Sequence, residues 1–187
     1  MGSSGNTPSP RARAPIPRWV QIVGDDHPRA CTGRRLVHLR LARAFPREGG
    51  PAGGPIVLDP YAADPIARPD RARALRQGVL AIDCSWNALS RRGHLASRAP
   101  NGSPRRRLPF LIAGNPQHYG RLGELNTVEA LGAAVYLLGR PEEAIRLLAG
   151  FAGGPAFLEM NRDRLDRFAE AKDAPSVREL ERALYGG

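Results

Sequence analysis

The sequence predicts an α/β protein in which a small, mainly parallel sheet precedes an all-α C-terminal lobe. Short apolar segments bounded by Gly, Pro or Asp are typical of buried strands, and they occur at residues 19–23, 55–58, 78–83 and 108–114. Between the second and third of these, Pro69 and Asp70 begin a short helix, which predicts a parallel pair with a right-handed crossover. After residue 125 the apolar residues recur at helical spacing.

The segment at residues 78–86 combines a buried strand with a polar end. After an unbroken apolar run, four consecutive residues bear a carboxylate, a thiol, a hydroxyl and an indole, namely Asp83, Cys84, Ser85 and Trp86. Ligands of open α/β sheets bind outside the carboxyl ends of the strands. Taken alone, the segment is equally consistent with a ligand site and with a strand end that caps a short helix through Asp83 or Ser85.

A helix is also predicted directly after the first strand. Thr32 is a good N-cap residue, and Leu36 and Leu39 follow it at helical spacing. The free backbone N–H groups after Thr32 could hold a carboxylate or a phosphate, or the helix could be capped without any ligand.

Four helices are predicted in the C-terminal lobe. Asn126 and Glu129 form a capping box at the start of the first, and Pro141 begins the second. The third covers residues 157–168, and Ser176 caps the fourth. The predicted organisation is a disordered basic arm at residues 1–17, an α/β domain at residues 18–118 and a helical domain at residues 119–187.

The charge of the chain indicates a polyanionic partner. The formal net charge is +10 at pH 7, and every basic side chain except Lys172 is an arginine. Arginine carries a permanently charged fork that suits phosphate, so nucleic acid is favoured over a membrane surface. The sequence has neither a long apolar segment nor a secretory signal, which predicts an intracellular, cytoplasmic protein. Two cysteines are too few for a disulfide framework or a Cys-based zinc site, and no metal is expected.

One stretch concentrates this charge. Residues 90–107 contain no acidic residue and read as a loop, so phosphate contacts are favoured over a merely solvated charged loop. The six arginines predicted to bind RNA are Arg91, Arg92, Arg98, Arg105, Arg106 and Arg107. Familiar nucleotide and hydrolase motifs (Walker loop, G-x-G-x-x-G and G-x-S-x-G) are missing from the sequence. The residues alone thus predict an α/β ligand site and a basic surface that faces RNA or DNA, and no more.

Several short motifs occur in a fixed order along residues 19–161. They are Asp26-His27-Pro28, Cys31-Thr32-Gly33, Leu58-Asp59-Pro60, Ala81-Ile82-Asp83-Cys84-Ser85-Trp86, Leu108-Pro109-Phe110-Leu111, Asn115-Pro116, Tyr119-Gly120, Thr127-Val128-Glu129-Ala130 and Phe157-Leu158-Glu159-Met160-Asn161. In this order and with these residues, the sequence resembles the S-adenosylmethionine-dependent aminocarboxypropyltransferases that modify small-subunit ribosomal RNA.

The resemblance implies a SPOUT-like α/β domain followed by a helical domain. It implies S-adenosylmethionine as the donor of a 3-amino-3-carboxypropyl group, which is transferred to N3 of a hypermodified uridine or pseudouridine with release of methylthioadenosine. The implied partner is small-subunit rRNA in a pre-ribosomal particle. Because the helical lobe replaces the knotted segment through which SPOUT methyltransferases dimerise, a monomer is expected.

The resemblance also implies a set of cofactor-binding residues. The backbone amide of Thr32 would hold the methionine carboxylate, and the Ile82 carbonyl would bind the ribose. The remaining groups would enclose or read the adenine or close the pocket, and they are Leu58, Pro60, Trp86, Leu108, Gly123, Leu125 and Thr127.

Asp83 is the one catalytic candidate. It would lie near the amino-acid end of the cofactor, where it could orient the ammonium group or accept a proton. Two other functions stay open at this point. One is a SPOUT-type RNA methyltransferase that uses the same pocket, and the other is a non-enzymatic ribosome-assembly factor that binds rRNA without a cofactor.

Overall fold

The structure is a computed structural model that describes residues 14–23, 31–46, 50, 53–84, 86, 99 and 101–186. Several predictions concern residues outside these ranges, among them the Asp26-His27-Pro28 motif, Ser85, and the RNA contacts of Arg91, Arg92 and Arg98. Within the described ranges, no helix has the length and apolar character needed to cross a membrane.

Five parallel strands form one sheet in the order β2-β1-β4-β3-β5. Their bounds are Arg18–Ile22 (β1), Arg43–Ala44 (β2), Ile56–Leu58 (β3), Val79–Asp83 (β4) and Arg105–Arg106 (β5). The predictions of β1, β3 and β4 are confirmed, as is the parallel pairing of β3 with β4. The two edge strands consist mainly of arginine and have two residues each, so no apolar pattern marks them in the sequence.

Six α-helices accompany the sheet in the described ranges. Their bounds are Thr32–His38 (α1), Arg71–Gln77 (α2), Thr127–Leu137 (α3), Pro141–Ala149 (α4), Gly154–Glu170 (α5) and Ala174–Tyr185 (α6), and a 3₁₀ turn at Arg68–Asp70 precedes α2. The predicted α/β architecture with a helical C-terminal part is confirmed.

The helix caps agree with the sequence in one case and correct it in two. The capping box of Asn126 and Glu129 at the start of α3 is confirmed. The N-cap of α1 is Cys31 rather than Thr32, because the Cys31 sulfur accepts the N–H of Arg34. Likewise α6 is capped by Asp173, whose carboxylate accepts the N–H of Ser176. In each case the cap side chain reaches the N3 amide, so the helix begins earlier than the sequence predicts.

Strand β4 is buried on both faces, as its unbroken apolar run predicts. Val79 and Ala81 belong to the large core under the helices. Leu80 points to the other face, where it packs with Phe45 and Val57.

The adjacent strands β1 and β4 form a topological switch point, because the connections that follow them run toward opposite edges of the sheet. After β1 the chain passes through α1 to β2 at one edge, whereas after β4 it continues to β5 at the other edge. At the carboxyl ends of the two strands Ile22 lies beside Asp83. Such a switch point is where open α/β sheets bind ligands, so the fold places Asp83 at the position that the sequence predicts for a site.

Residues 108–114 do not form the buried strand that their apolar pattern predicts. This stretch makes only an isolated bridge between Ile112 and Leu122. Alternate backbone N–H groups bond to side chains instead, namely Phe110 to Glu181, Ile112 to Asn161 and Gly114 to Glu129. Leu111 and Ala113 are fully buried. The apolar pattern therefore predicts the burial of this segment correctly, but it does not indicate that the segment pairs with a strand.

The N-terminal arm is ordered at its end. Ile16 is 1% exposed, and the Pro17 carbonyl accepts the N–H of Val79 at 2.9 Å. The prediction of a disordered arm is therefore wrong for residues 14–17, while residues 1–13 lie outside the described ranges. One continuous core joins the sheet to the C-terminal helices, and the predicted boundary near residue 118 stays a prediction.

Candidate functional site

The carboxylate of Asp83 lies between the N-termini of two helices. Its Oδ2 accepts the thiol of Cys31 at 2.8 Å and the N–H of Gly33 at 3.1 Å, both from the start of α1. Its Oδ1 accepts the hydroxyl of Thr127, the first residue of α3. Two helix N-termini that converge on one carboxylate place partial positive charge around it.

Cys31 acts as a neutral donor in this cluster. Burial, with the hydrogen bond to Asp83 as a second cause, raises the pKa of the Cys31 thiol. The thiol therefore keeps its proton, through which it donates a hydrogen bond to the carboxylate, while the sulfur accepts the N–H of Arg34 and caps α1. Sequence reasoning missed this role, although a cysteine directly before the predicted helix start was the available signal.

The turn after β3 opens a second part of the site. Asp59 is buried, and its carboxylate accepts the N–H of Tyr61 at 3.0 Å, which fixes the turn at Pro60. The N–H of Ile56 bonds to the Gly78 carbonyl at 3.0 Å. The parallel pairing of β3 with β4 runs from Ile56 beside Val79 to Val57 beside Leu80, so the turn at Pro60 comes directly after the paired part of β3.

Trp86 is tied to the loop that precedes α3. Its indole N–H donates to the Leu125 carbonyl at 3.1 Å, across 39 positions of sequence. Leu125 is buried and Trp86 is half-buried. The contact brings together two of the residues predicted to enclose a ligand ring.

Two further predicted residues lie in the chain between β5 and α3. The Gly123 N–H bonds to the Leu111 carbonyl at 2.8 Å, and Gly123 has a φ of +80°, a conformation that favours glycine. The amide of Leu108 has no hydrogen-bond partner within the described ranges, and the same holds for the amide of Thr32. Both amides are predicted ligand donors.

Comparison with known proteins identifies the family. The family described as "Ribosome biogenesis protein, C-terminal" matches residues 56–185. The 16S rRNA aminocarboxypropyltransferase of Methanopyrus kandleri is 42% identical over 154 residues, which cover 82% of this chain and 89% of that protein. The chain belongs to the S-adenosylmethionine-dependent rRNA aminocarboxypropyltransferase family.

Other members of the aminocarboxypropyltransferase family agree in sequence and in structure. The 16S rRNA aminocarboxypropyltransferase of Halobacterium salinarum is 39% identical over 164 residues, covering 88% of this chain and 93% of that protein. The solved structure of the SAM-dependent rRNA:acp-transferase Tsr3 from Vulcanisaeta distributa matches with a TM-score of 0.73 and 34% identity. That match covers 92% of this chain and all of the solved chain.

In this aminocarboxypropyltransferase, the buried carboxylate of Glu129 binds Asn115, whose side-chain amide also donates to the Glu124 carbonyl at 3.3 Å, between Gly123 and Leu125. Glu129 accepts the N–H of Gly114 at 2.8 Å and the side-chain amide of Asn115 at 2.7 Å. Burial raises the pKa of Glu129, although the hydrogen bonds it accepts act in the opposite direction. The sequence predicts only the role of Glu129 in the capping box of α3. Its bonds to Gly114 and Asn115 could not be predicted, because no sequence pattern links these residues.

The arginines predicted at residues 105–107 are not in an uncompensated loop. Each forms an ion pair with an acid that is distant in sequence, and the pairs are Arg105–Asp59 at 2.6 Å, Arg106–Asp70 at 3.1 Å and Arg107–Glu181 at 2.6 Å. Two of the three also form β5. The prediction of uncompensated charge is therefore wrong here, because these acids reach the segment only through the fold. Contact with RNA stays a prediction for all six arginines.

Proposed function

We propose that this protein transfers the 3-amino-3-carboxypropyl group of S-adenosylmethionine to N3 of a uridine or pseudouridine in small-subunit rRNA and releases methylthioadenosine. The observation that carries the proposal is the position of Asp83, at the β1–β4 switch point between the N-termini of α1 and α3. Relatives that cover most of the chain are named for transfer of this group to rRNA.

The unpartnered backbone groups support a cofactor-binding role for the predicted residues. Thr32 and Leu108 have free amides within the described ranges, which suits a carboxylate at the first and the adenine edge at the second. We assign the Ile82 carbonyl, near the carboxyl end of β4, to the ribose hydroxyls.

Apolar side chains suit the adenine ring. We assign this role to Leu58, the last residue of β3, to Pro60 in the turn that follows, and to the linked pair of Trp86 and Leu125. An indole face against a purine combines stacking with burial of apolar area. The Gly123 carbonyl would read the adenine edge opposite the Leu108 amide, and Thr127 closes the amino-acid end beside Asp83.

The reaction is a nucleophilic substitution at carbon. N3 of the uridine ring loses its proton to water and attacks Cγ of the methionine moiety. A bond from N3 to Cγ forms as the bond from Cγ to sulfur breaks, and the electron pair stays on sulfur. The sulfonium thereby becomes the neutral thioether of methylthioadenosine. Because three carbons of the sulfonium are activated, the one held in line with N3 determines the product.

Asp83 is proposed to act by position and charge. Its two oxygens already accept hydrogen bonds from Cys31, Gly33 and Thr127. A carboxylate held this way is a fixed negative charge that can orient the ammonium group and stabilise the cationic cofactor. Its three protein donors disfavour the alternative role of a proton acceptor.

The proposal extends to partners and assembly. The net charge of +10 supports binding to a polyanion, which we take to be small-subunit rRNA in a pre-ribosomal particle in the cytoplasm. We propose a SPOUT-like α/β domain and a monomeric enzyme, and light scattering at micromolar concentration checks the latter.

Two isotopic labels in the cofactor test the reaction. The enzyme is incubated with unmodified small-subunit rRNA and with S-adenosylmethionine labelled either at the carboxyl carbon or at the methyl group. Carboxyl label in the RNA without methyl label is the expected result. Methyl label in the RNA would establish a methyltransferase instead. RNA binding with neither label transferred, and with no heat of cofactor binding in calorimetry, would establish an assembly factor.

A further inference from the structure

Side chains from three helices hold the backbone of the segment Arg107–Gly114. Its alternate N–H groups, which face no strand, bond to three side chains that are each at most 5% exposed. The bonds run from Phe110 to Glu181 of α6 at 3.1 Å, from Ile112 to Asn161 of α5 at 2.8 Å, and from Gly114 to Glu129 of α3 at 2.8 Å. The C-terminal helices thus bond to one edge of this segment, where a neighbouring strand would otherwise lie, while its other edge bonds to the backbone of residues 120–123.

Arg107, at the start of the segment, forms an ion pair with Glu181. Both guanidinium Nη atoms donate to the carboxylate, each at 2.6 Å. The side chains are only 17% and 6% exposed. Paired donation of this kind is geometrically specific as well as strong, and loss of either partner leaves a largely buried charge behind.

Helix α6 also bonds to the carbonyl of the same residue, Phe110. The hydroxyl of Tyr185 donates to the Phe110 carbonyl at 2.6 Å, and the two rings meet edge to face with centroids 6.0 Å apart. Both hydrogen-bonding groups of Phe110 are therefore bonded to α6.

Leu108 lies between two fixed points. On one side the Arg107 backbone bridges to the chain before α2, through bonds from its N–H to the Asp64 carbonyl and from Ile66 to its own carbonyl, at 3.1 and 2.8 Å. The Arg107 guanidinium donates to the Leu108 carbonyl at 3.2 Å. On the other side is Phe110. The Leu108 amide itself has no partner within the described ranges.

We propose that Arg107 and Glu181 are positioning residues that hold the Leu108 amide at the adenine of the cofactor. This inference rests on the proposed function, which assigns that amide to the adenine edge. It gives Arg107 a role other than the phosphate contact that the sequence predicts, because its charge is already satisfied by Glu181. The last helix then controls cofactor affinity without touching the cofactor.

Calorimetry with two ligands tests the proposal. Arg107→Met and Glu181→Gln are each titrated with S-adenosylmethionine and with methylthioadenosine, which shares the adenosine but lacks the amino-acid group. If the segment is correctly placed only a tenth of the time in a variant, the affinity falls about tenfold. Because the segment reads adenine, we expect the same fold-loss for both ligands, a raised KM for the cofactor and an unchanged kcat.

A matched control uses the same helix. Arg178 pairs with Asp64 at 2.8 Å, but the two side chains are 40% and 53% exposed and do not hold residues 108–114. Arg178→Met should therefore bind both ligands as the wild type does. The salt dependence of RNA binding is measured for Arg107→Met and should match that of the wild type.

Two results would overturn the proposal. Wild-type cofactor affinity in both folded variants excludes a positioning role. A flatter salt dependence of RNA binding in Arg107→Met, with cofactor affinity unchanged, makes Arg107 a phosphate contact. Near-ultraviolet circular dichroism confirms folding, and if Arg107→Met does not fold, Glu181→Gln decides. Failure of the proposed function looks different, because then the wild-type protein itself binds no cofactor or transfers a methyl group.

Discussion

The thiol of Cys31 donates a 2.8 Å hydrogen bond to the carboxylate of Asp83, which lies 52 positions further along the chain. The bond connects the residue that caps α1 to the carboxyl end of the central strand β4. Thr127 binds the other oxygen of the same carboxylate. Asp83 is therefore the point at which the sheet, α1 and α3 are held together beside the site.

Asp83→Asn tests the structural part of this role. The amide has a single oxygen, so its NH₂ group must face the donors on one side. We expect the free energy of unfolding to fall by about 1–3 kcal/mol, the usual cost of a buried unmet hydrogen bond. Urea unfolding measures it. Asp64→Asn, at an exposed carboxylate, should change stability by less than about 0.5 kcal/mol.

Asp83→Asn also distinguishes the two proposed roles of this carboxylate, which are to position the cofactor and to accept a proton. If Asp83→Asn keeps wild-type stability and cofactor affinity but loses transfer, Asp83 acts as a base and the role proposed here is wrong. Weaker cofactor binding together with lower stability agrees with positioning.

Gly33→Ala tests how closely α1 approaches the strand end. A Cβ at this position would lie 2.6 Å from Oδ2 of Asp83 and 2.8 Å from Val20. We expect a loss of stability of about 1–3 kcal/mol, as for other overpacked sites, together with weaker cofactor binding. Gly150→Ala is the control, since a Cβ there meets nothing within 4 Å. Equal stability of the two variants would contradict the close approach.

The sequence predicts where the site lies better than it predicts the hydrogen bonds between the residues of the site. An apolar run followed by Asp83 is sufficient to locate the carboxyl end of a buried strand. The partners of Asp83 could not be predicted, because Cys31 and Thr127 lie 52 and 44 positions away. Likewise the apolar pattern at residues 108–114 predicts burial correctly. It cannot tell a strand from a segment whose backbone is bonded to side chains of distant helices.

The charge pattern of the sequence likewise could not show which arginines form ion pairs with distant acids. A run of arginines without acids looks uncompensated in the sequence, yet Arg105 and Arg106 meet Asp59 and Asp70 through the parallel pairing and the loop before α2. Local sequence determines the three inner strands of the sheet and the capping box of α3. Contacts that close over many residues depend on the packed fold.

Trp86→Ala tests whether the indole of Trp86 packs against the adenine ring of the cofactor. If the indole stacks on adenine, cofactor affinity should fall by about 2–4 kcal/mol, as at other buried aromatic contacts. Trp86→Phe keeps an aromatic face and loses only the bond to the Leu125 carbonyl, so we expect a loss of about 1 kcal/mol. Calorimetry measures both.

Trp19 provides the control for this prediction. Its indole also donates to a carbonyl, that of Gln77 at 3.0 Å, but it packs against the small cluster on the other face of the sheet. Trp19→Phe should leave cofactor affinity unchanged. A wild-type affinity in Trp86→Ala would assign Trp86 to packing alone.

Ionisation of Tyr136 should lower the stability of the protein at alkaline pH. Burial, and then the hydrogen bond to Asp166, raises the pKa of Tyr136 from 10.0 to about 12. Below pH 10 the hydroxyl is neutral in both the folded and unfolded states, so its contribution is complete. Between pH 10 and 12 the unfolded chain loses the proton while the folded chain largely keeps it, so the free energy of unfolding should fall by up to roughly 3 kcal/mol.

Tyr136→Phe isolates this group from the others that titrate in the same range. The variant should be less stable than the wild type at neutral pH, and the difference should shrink between pH 10 and 12. Urea unfolding at several pH values measures the difference. A constant difference across that range would mean that Tyr136 titrates normally in the folded protein.

The identity of the transferred group is the point on which the proposed function depends most. Small-subunit rRNA incubated with the enzyme and S-adenosylmethionine is digested to nucleosides and analysed by mass spectrometry, together with the small-molecule product. We expect a uridine-derived nucleoside that carries the aminocarboxypropyl group on N3, and an equal amount of methylthioadenosine. A methylated nucleoside with S-adenosylhomocysteine would contradict the proposed function.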